Sequence, residues 1–239
     1  MLTLLISLSV SLLAALGLYF VTYNYIWSLM LMVVLILALN FFIGRHFLKK
    51  LTTVFQEIEK DLKNNRFEKA INRLKNAYSF SKWQFFVKEQ INSQIGIILY
   101  MQKKFNEAKD YLEKGFAKNW MGMAMLATLY FKEKNYEKVK STMEKAIKNA
   151  PKEGFLYSLY AYFLTEMGEK DKAIEILVKG SKKAPLDEKL ESNLEALKNG
   201  KKMKMRNYGT LWLQLNIEKM PQGFKPYQMV LARQKIRRR

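Results

Sequence analysis

The side chains that most often carry enzyme chemistry are few in this sequence and poorly spaced for it. His46 is the only histidine and there is no cysteine, which excludes histidine triads, multi-histidine metal sites, thiolate ligands and disulfides. Acidic residues lie about one helical turn from lysines, as in Asp110 with Lys114 and Glu137 with Lys140, a spacing typical of solvated helix faces. No glycine-rich phosphate-binding motif occurs. The sequence therefore predicts a non-enzymatic protein that needs no metal or cofactor.

The charged residues are unevenly placed along the 239 residues of the chain. There are 41 lysines and arginines against 21 acidic residues, a net charge of +20, yet residues 1–44 contain none of them. The mean hydropathy of −0.19 is thus an average over two unlike parts. This division predicts a membrane segment followed by a basic domain.

The uncharged segment predicts two membrane-spanning helices, because a bilayer core needs about 20 apolar residues of helix. Residues 2–21 and 26–44 satisfy this length, and the polar residues 22–25 between them lie among tyrosines and Trp27, which favour the headgroup level. A single helix through all 44 residues would be about 66 Å long, too long for a bilayer. The expected structure is a transmembrane hairpin with its tip at residues 22–25.

The charges also predict how the hairpin is oriented and what it does. Arg45, Lys49 and Lys50 follow the second span directly, so both termini should face the cytoplasm in a multi-pass protein of the cytoplasmic (inner) membrane. The alternative is a cleaved signal peptide followed by one span, although a basic leading region and a cleavage site are not recognisable. The absence of ionisable residues in either span indicates anchoring rather than transport. Asn40 would either bond a partner helix or reach the interface.

Four later segments share a pattern in which an aromatic or polar residue is followed three positions later by a small residue. Residues 65–70, 103–108, 134–139 and 168–173 end on Ala70, Ala108, Val139 and Ala173, which are 38, 31 and 34 residues apart. A second small residue follows each after seven positions, with a large apolar residue between them: Ala77, Gly115, Ala146 and Gly180, with Leu74, Leu112, Met143 and Leu177. Pro151 and Pro185 close the last two segments.

This pattern resembles the tetratricopeptide repeat, which has a period of about 34 residues. The resemblance covers roughly residues 51–198, with Gly96, Ala127 and Ala161 at the close-packing point of their helices. The first segment departs from the pattern, because Ile58 stands where a small residue belongs. An ordinary helical bundle is the alternative. A capping helix, with Asp187 at its N-cap, is expected before Gly200.

The resemblance implies a concave surface formed by the first helix of each repeat. The ligand-facing positions carried over from the family, here called the concave surface, are Gln90, Ser93, Ile97, Tyr100, Met121, Ala124, Thr128, Phe131, Phe155, Ser158, Tyr162 and Thr165. None is charged, so a carboxylate-binding set is missing. An apolar face of a partner protein would suit the surface, and the alternative is that the chain's own C-terminal tail fills part of it.

The tail from residue 201 carries eleven basic residues and one acidic residue. Leucines and isoleucine alternate with other residues over 211–217, which predicts an extended, half-buried segment. The expected contacts with anionic lipid headgroups are Arg45, Lys49, Lys50, Arg233, Lys235, Arg237, Arg238 and Arg239. An acidic protein partner, RNA and a merely solvated tail remain alternatives for the basic end.

Together these patterns predict an all-α chain made of four parts. The parts are a transmembrane hairpin (1–44), a basic juxtamembrane segment (45–50), a short tetratricopeptide-like α-solenoid with a capping helix (51–199), and an extended basic tail (200–239). The expected function is a membrane-anchored scaffold that binds protein partners at the cytoplasmic face and assists assembly of a membrane complex. The alternatives are an integral subunit of a membrane complex and a membrane-tethered contact for nucleic acid or ribosomes. The oligomeric state stays open.

Overall fold

The computed structural model describes residues 2–218, and every regular element in that range is a helix. The all-α prediction is therefore confirmed over this range. The chain divides into two compact units, the first ending at Ile91 and the second beginning at Asn92.

The first unit begins with two long apolar helices, α1 (Leu2–Thr22) and α2 (Tyr25–Lys63). Tyr23 adopts a left-handed φ of 48° between them, and the Asn24 side chain accepts a hydrogen bond from the Ile26 N–H, which caps α2. The turn thus falls within the predicted tip at residues 22–25. Both helices are long and apolar enough to cross a membrane.

A stripe of small and polar side chains joins α1 to α2. Thr3, Ser7, Ser11 and Ala15 recur every fourth residue on α1 and are buried. The Asn40 amide of α2 donates to Ser7 Oγ at 2.6 Å, which fixes the antiparallel register of the pair. Small residues let two helices approach closely, and a polar pair between them is satisfied without water. Of the two roles expected for Asn40, bonding a partner helix is the one observed.

Large apolar side chains cover the outer surface of this helix pair. Leu5, Leu13 and Phe20 on α1 and Leu29 and Leu37 on α2 are each more than 60% exposed. A water-soluble protein rarely leaves a continuous apolar surface of this kind uncovered.

The apolar helix α2 continues without a break to Lys63, 39 residues in all. The predicted domain boundaries at residues 44 and 50 therefore fall inside one helix, and as functional divisions they stay predictions. Asp61 is buried, and its carboxylate accepts a hydrogen bond from Arg73 Nε at 2.7 Å, while the Arg73 guanidinium also pairs with Glu57. This ion pair fastens α3 (Phe67–Asn76) to the far end of α2.

A 3₁₀ helix (Ala77–Lys82) follows α3, and seven α-helices joined by short turns come next. They are α4 (Val87–Met101), α5 (Phe105–Glu113), α6 (Trp120–Lys132), α7 (Tyr136–Asn149), α8 (Gly154–Glu166), α9 (Lys170–Lys183) and α10 (Glu188–Lys198). The Asp187 side chain accepts hydrogen bonds from the Lys189 and Leu190 N–H groups, which confirms it as the N-cap of α10.

One turn geometry recurs between the two helices of each predicted repeat. Asn65, Lys103, Lys134 and Gly168 all have positive φ, between 57° and 85°. The N–H of the next residue reaches the carbonyl five positions back: Arg66 to Asp61, Lys104 to Leu99, Asn135 to Tyr130 and Glu169 to Leu164, at 2.8 to 3.0 Å. This is the Schellman motif, which satisfies carbonyls at a helix C-terminus. The first segment shares it despite Ile58.

The small residues of the repeat pattern lie where two helices cross closely. Ala70, Ala108, Ala146 and Ala173 are fully buried. A Cβ on Gly96 would stand 2.7 Å from Leu112 Cγ, and a Cβ on Gly180 would stand 2.6 Å from Tyr157 Cγ. Glycine is needed at these two positions because the partner side chain occupies the space of a methyl group.

Candidate functional site

The twelve concave-surface residues differ in how accessible they are. The buried ones are Ser93, Ile97, Tyr100, Ala124, Thr128, Phe155 and Ser158, and the half-buried ones are Gln90, Met121, Phe131, Tyr162 and Thr165. Gln90 belongs to the first unit and the other eleven to the second. Their binding role stays a prediction.

Part of this surface is covered by the chain's own residues 205–215, here called the folded-back segment. It consists of a 3₁₀ turn (Met205–Tyr208) and a short helix α11 (Thr210–Gln214), joined by Gly209 at a φ of 57°. Met205, Tyr208, Leu211, Trp212 and Leu215 are each less than 6% exposed. The segment is therefore built into the second unit as a core element.

The first half of the folded-back segment seats Tyr208 against α8. Its hydroxyl lies 2.8 Å from Ser158 Oγ, and its ring meets the Phe155 ring edge to face at a centroid distance of 5.0 Å. Both partners are predicted concave-surface residues. Asn193 of α10 holds the chain just before this turn, because its Oδ1 accepts the Lys204 N–H at 2.7 Å.

The second half places Trp212 and Leu215 over α8 and α4. The Trp212 ring meets Tyr162 edge to face at 4.8 Å, and the Tyr100 hydroxyl donates to the Leu215 carbonyl at 2.5 Å. Trp212 is 1% exposed and Leu215 is fully buried. Four of the twelve predicted positions, including Tyr162 and Tyr100, thus contact this segment.

The prediction of an extended segment over residues 211–217 is wrong for α11, which is helical. Leu211 and Leu215 are four positions apart, a spacing that fits both a strand face and a helix face. In a strand, Trp212 would point away from the face that Leu211 and Leu215 share, so the burial of all three side chains fits only a helix. The alternation was misleading because the segment covers only a single turn of helix, too short for the two periods to diverge.

Burial keeps the phenols of this surface neutral. It raises the pKa of Tyr100 and of Tyr208 above the usual range, and burial together with Glu166 and Glu218 raises the pKa of Tyr162 to about 12. These phenols act as hydrogen-bonding groups on an uncharged, aromatic surface. Such a surface suits apolar and hydroxyl-bearing partner groups more than anions.

Other predicted positions contact the repeats themselves. Ser93 Oγ accepts the Phe116 N–H at 2.7 Å, so this hydroxyl caps the loop after α5. The Thr128 and Thr165 hydroxyls donate to carbonyls of their own helices. The half-buried Phe131 ring stacks on Phe163 at 4.6 Å.

Residues 2–218 contain no cluster of three or more histidine, cysteine or acidic residues that could hold a metal ion. A cleft beside the folded-back segment is lined by Lys152, Lys183 and Lys189 together with Glu153 and Asp187. Its charges are mixed, and Asp187 already caps α10. The non-enzymatic assignment stays a prediction.

The predicted lipid contacts fall in two places. Arg45, Lys49 and Lys50 are exposed on α2 just beyond its apolar part. Arg233, Lys235, Arg237, Arg238 and Arg239 lie outside the described residues.

Sequence reasoning missed the residues that complete the covered surface. Tyr208, Trp212 and Asn193 belong to no repeat motif, and the hydrogen bonds of Tyr208 and Asn193 join residues 11 to 50 positions apart. The one available signal was composition, because Tyr208 and Trp212 are large aromatic residues in a tail that is rich in charge. The stripe of Thr3, Ser7 and Ser11 was readable from its four-residue spacing.

Comparison with known proteins identifies one repeat directly. Residues 122–153 match the tetratricopeptide repeat family, a range that contains most of α6 and all of α7. A search of curated proteins finds no match. This match supports the tetratricopeptide resemblance of the helical pairs, and such repeats generally bind protein partners.

A comparison with solved structures finds two that resemble this chain. One is the MamA RS-1 ArsTM double mutant, 16% identical, covering 77% of this chain and 95% of its own, with a TM-score of 0.47. The other is a crystal structure of MamA, 17% identical, covering 74% of this chain and 95% of its own, with a TM-score of 0.46.

Proposed function

We propose that this protein is a membrane-anchored repeat scaffold that binds a protein partner at the cytoplasmic face of the membrane, with α1 and α2 as a transmembrane hairpin. One observation carries this proposal. The helix α2 is apolar and exposed over its first half, and in its second half it packs through Asp61 and Arg73 as the first helix of a repeat-like pair.

Lipid is the occupant that best fits the outer surface of the hairpin. Its most exposed side chains are leucines, valines and aromatic residues, whereas Ser7 and Ser11 are buried and Asn40 bonds Ser7. From Gly44 back to Asn24 there are 20 residues of helix, or about 30 Å, which matches the hydrocarbon thickness of a bilayer. The basic residues Arg45, Lys49 and Lys50 directly after this span support a cytoplasmic position for the repeats.

For the partner site, we propose the half-buried part of the concave surface in the second unit. Phe131 lies 6.5 Å from Tyr162 between ring centroids, and Thr165 follows Tyr162 by one turn on α8. These residues remain accessible while the folded-back segment occupies the positions around Ser158. A partner with an apolar helix face or extended segment fits this uncharged aromatic surface.

A photo-crosslinking amino acid at selected positions of the full chain tests the partner site in native membranes. At Phe131 or Thr165 it should give a discrete adduct with one protein. The matched control is Lys145, an exposed position on α7. Equal adducts at Lys145, or adducts at none of the positions, would show that this surface is not the partner site.

The integral-subunit alternative predicts a different result in the same preparation. Gentle detergent extraction should then recover the chain with other membrane proteins in fixed stoichiometry, through contacts of α1 and α2. Substoichiometric soluble partners that crosslink at Thr165 favour the scaffold instead.

A further inference from the structure

A short loop in the first unit carries aromatic side chains that the hairpin and the repeats leave exposed. Residues 83–86, here called the 83–86 loop, connect the 3₁₀ helix to α4. Phe85 is 46% exposed and Phe86 is 59% exposed, so the two adjacent rings form an exposed apolar patch. Neither belongs to the concave surface.

The loop is held at one defined level along the hairpin by two independent contacts. The Thr3 hydroxyl of α1 donates to the Trp83 carbonyl at 2.8 Å. On α2, a Cβ built on Gly44 would stand 3.2 Å from Gln84 Nε2. The Asn40–Ser7 hydrogen bond makes Thr3 and Gly44 level with each other, so both helices meet the loop at the same height.

That height is the end of the apolar part of the hairpin. Gly44 is the last residue before the first charged side chain, Arg45, and it lies about 30 Å from the hairpin tip by helical rise. A hydrocarbon core of about 30 Å that begins at the tip therefore ends at the 83–86 loop.

Ring packing fixes the loop to the hairpin instead of leaving it free to move away. The Trp83 ring stacks on Phe47 of α2 at a centroid distance of 4.5 Å, and Phe80 meets Phe47 edge to face at 6.2 Å. Phe86 has a φ of 62°, a left-handed conformation that is an outlier for a bulky residue. Such a conformation persists only where its surroundings hold it.

The charge around the loop matches a bilayer surface. Lys82 and Lys88 flank the loop in the sequence, and Arg45, Lys49 and Lys50 are exposed on the adjoining part of α2. Glu89 is the nearest acidic residue along the chain. Exposed aromatic rings surrounded by basic side chains are typical of segments that lie in the headgroup region of an anionic membrane.

We propose that the 83–86 loop is a third membrane contact, which inserts Phe85 and Phe86 into the headgroup–acyl boundary of the same bilayer that α1 and α2 cross. This inference rests on the proposed transmembrane hairpin. The loop fixes the tilt of the first helical pair, α2 and α3, with respect to the membrane surface.

The absence of cysteine makes a site-specific depth measurement direct. The full-length Phe85→Cys variant, labelled with the fluorophore NBD, is placed in nanodiscs of phosphatidylethanolamine and phosphatidylglycerol. The NBD emission should shift to the blue relative to the same label in water. Lipids with a nitroxide near the headgroup should quench most of the NBD fluorescence. Lipids with a nitroxide deep in the acyl chain should quench it less.

Two matched variants separate failure of this inference from failure of the hairpin. Leu13→Cys labels an exposed position in the middle of α1, and Lys69→Cys labels an exposed position on α3, near the far end of α2. We expect deep quenching at position 13 and none at position 69. A label at 85 that behaves like the one at 69, with position 13 in the bilayer, overturns the loop contact alone. A label at 13 that stays in water overturns the hairpin and the inference with it.

Discussion

At the residue scale, the left-handed turn positions show where local strain is tolerated. Lys103 and Lys134 occupy the position that Gly168 fills in the last repeat, with φ values of 64° and 57°. An L-residue other than glycine pays about 1–2 kcal/mol in this conformation. A lysine in the sequence does not predict a left-handed turn, whereas a glycine such as Gly168 does.

The Lys134→Gly variant should therefore be more stable than the parent by about 1 kcal/mol, after the larger entropy of glycine in the unfolded chain is deducted. Urea denaturation followed by circular dichroism in detergent measures the change. Lys145→Gly is the control, because Lys145 is exposed in the middle of α7 and should lose about 1 kcal/mol. A loss of stability at position 134 as well would contradict the strained turn.

The raised pKa of Tyr162 leads to a prediction in alkaline solution. The unfolded phenol ionises near pH 10 and the folded one near pH 12, so between these values the unfolded state releases a proton that the folded state retains. Stability should be unaffected below about pH 10 and should fall as the pH rises through this window. Tyr162→Phe should lose less stability than the parent between about pH 10 and pH 12, measured by urea midpoints. Identical pH profiles for the two proteins would contradict the assigned shift.

At the element scale, the repeats depend on close helix crossings, which the sequence pattern predicted well. Ala70, Ala108, Ala146 and Gly180 were identified by their seven-residue and repeat spacing, and all four are buried. The folded-back segment could not be predicted in the same way. Its contacts, such as Tyr100 with Leu215, join residues 115 positions apart, and no period relates them.

The Gly180→Ala variant tests the crossing of α8 and α9. The new methyl group would meet the buried Tyr157 ring, so we expect a loss of about 1–3 kcal/mol, measured by urea denaturation. Gly122→Ala is the matched control, because its Cβ would have an ordinary contact of 3.4 Å with Leu112. That control should gain up to about 1 kcal/mol from helix propensity. Equal effects of the two substitutions would argue against a space-limited crossing.

The folded-back segment should contribute strongly to the stability of the second unit. Trp212→Ala removes a fully enclosed indole and should cost about 3–5 kcal/mol. Leu213→Ala, at the adjacent half-buried position, should cost clearly less. Thermal unfolding by circular dichroism compares the two variants. If the loss at 212 is no larger than at 213, the segment is not the core element that its burial indicates.

At the scale of the whole molecule, the two apolar helices and the helical repeats were both evident from charge and periodicity. The uncharged residues 1–44 predicted α1 and the first half of α2, with a turn at the residues where it is found. The sequence did not reveal that α2 continues through Arg45, His46 and Lys50 without a break. Basic residues favour the end of a membrane span, but they are also good helix formers, so a change of environment need not end the helix.

The proposed topology predicts opposite accessibility for two single cysteines in intact cells. Tyr23→Cys, at the exposed turn between α1 and α2, should react with a membrane-impermeant maleimide added outside. Lys145→Cys on α7 should react only after the membrane is opened. Labelling of position 145 in intact cells, or protection of position 23, would refute a hairpin with its tip outside and the repeats in the cytoplasm.

Because α2 is unbroken, the hairpin and the first helical pair, α2 and α3, rotate together as one rigid unit. Any rotation of the span about its own axis turns Asp61 through the same angle, and the ion pair with Arg73 swings α3 around with it. In the proposed transmembrane arrangement, the azimuth at which α1 packs on α2 therefore sets the direction in which α3 points along the membrane plane. Because a helix advances by about 100° per residue, one alanine inserted after Thr53 would turn Asp61, and α3 with it, by more than a quarter turn relative to α1.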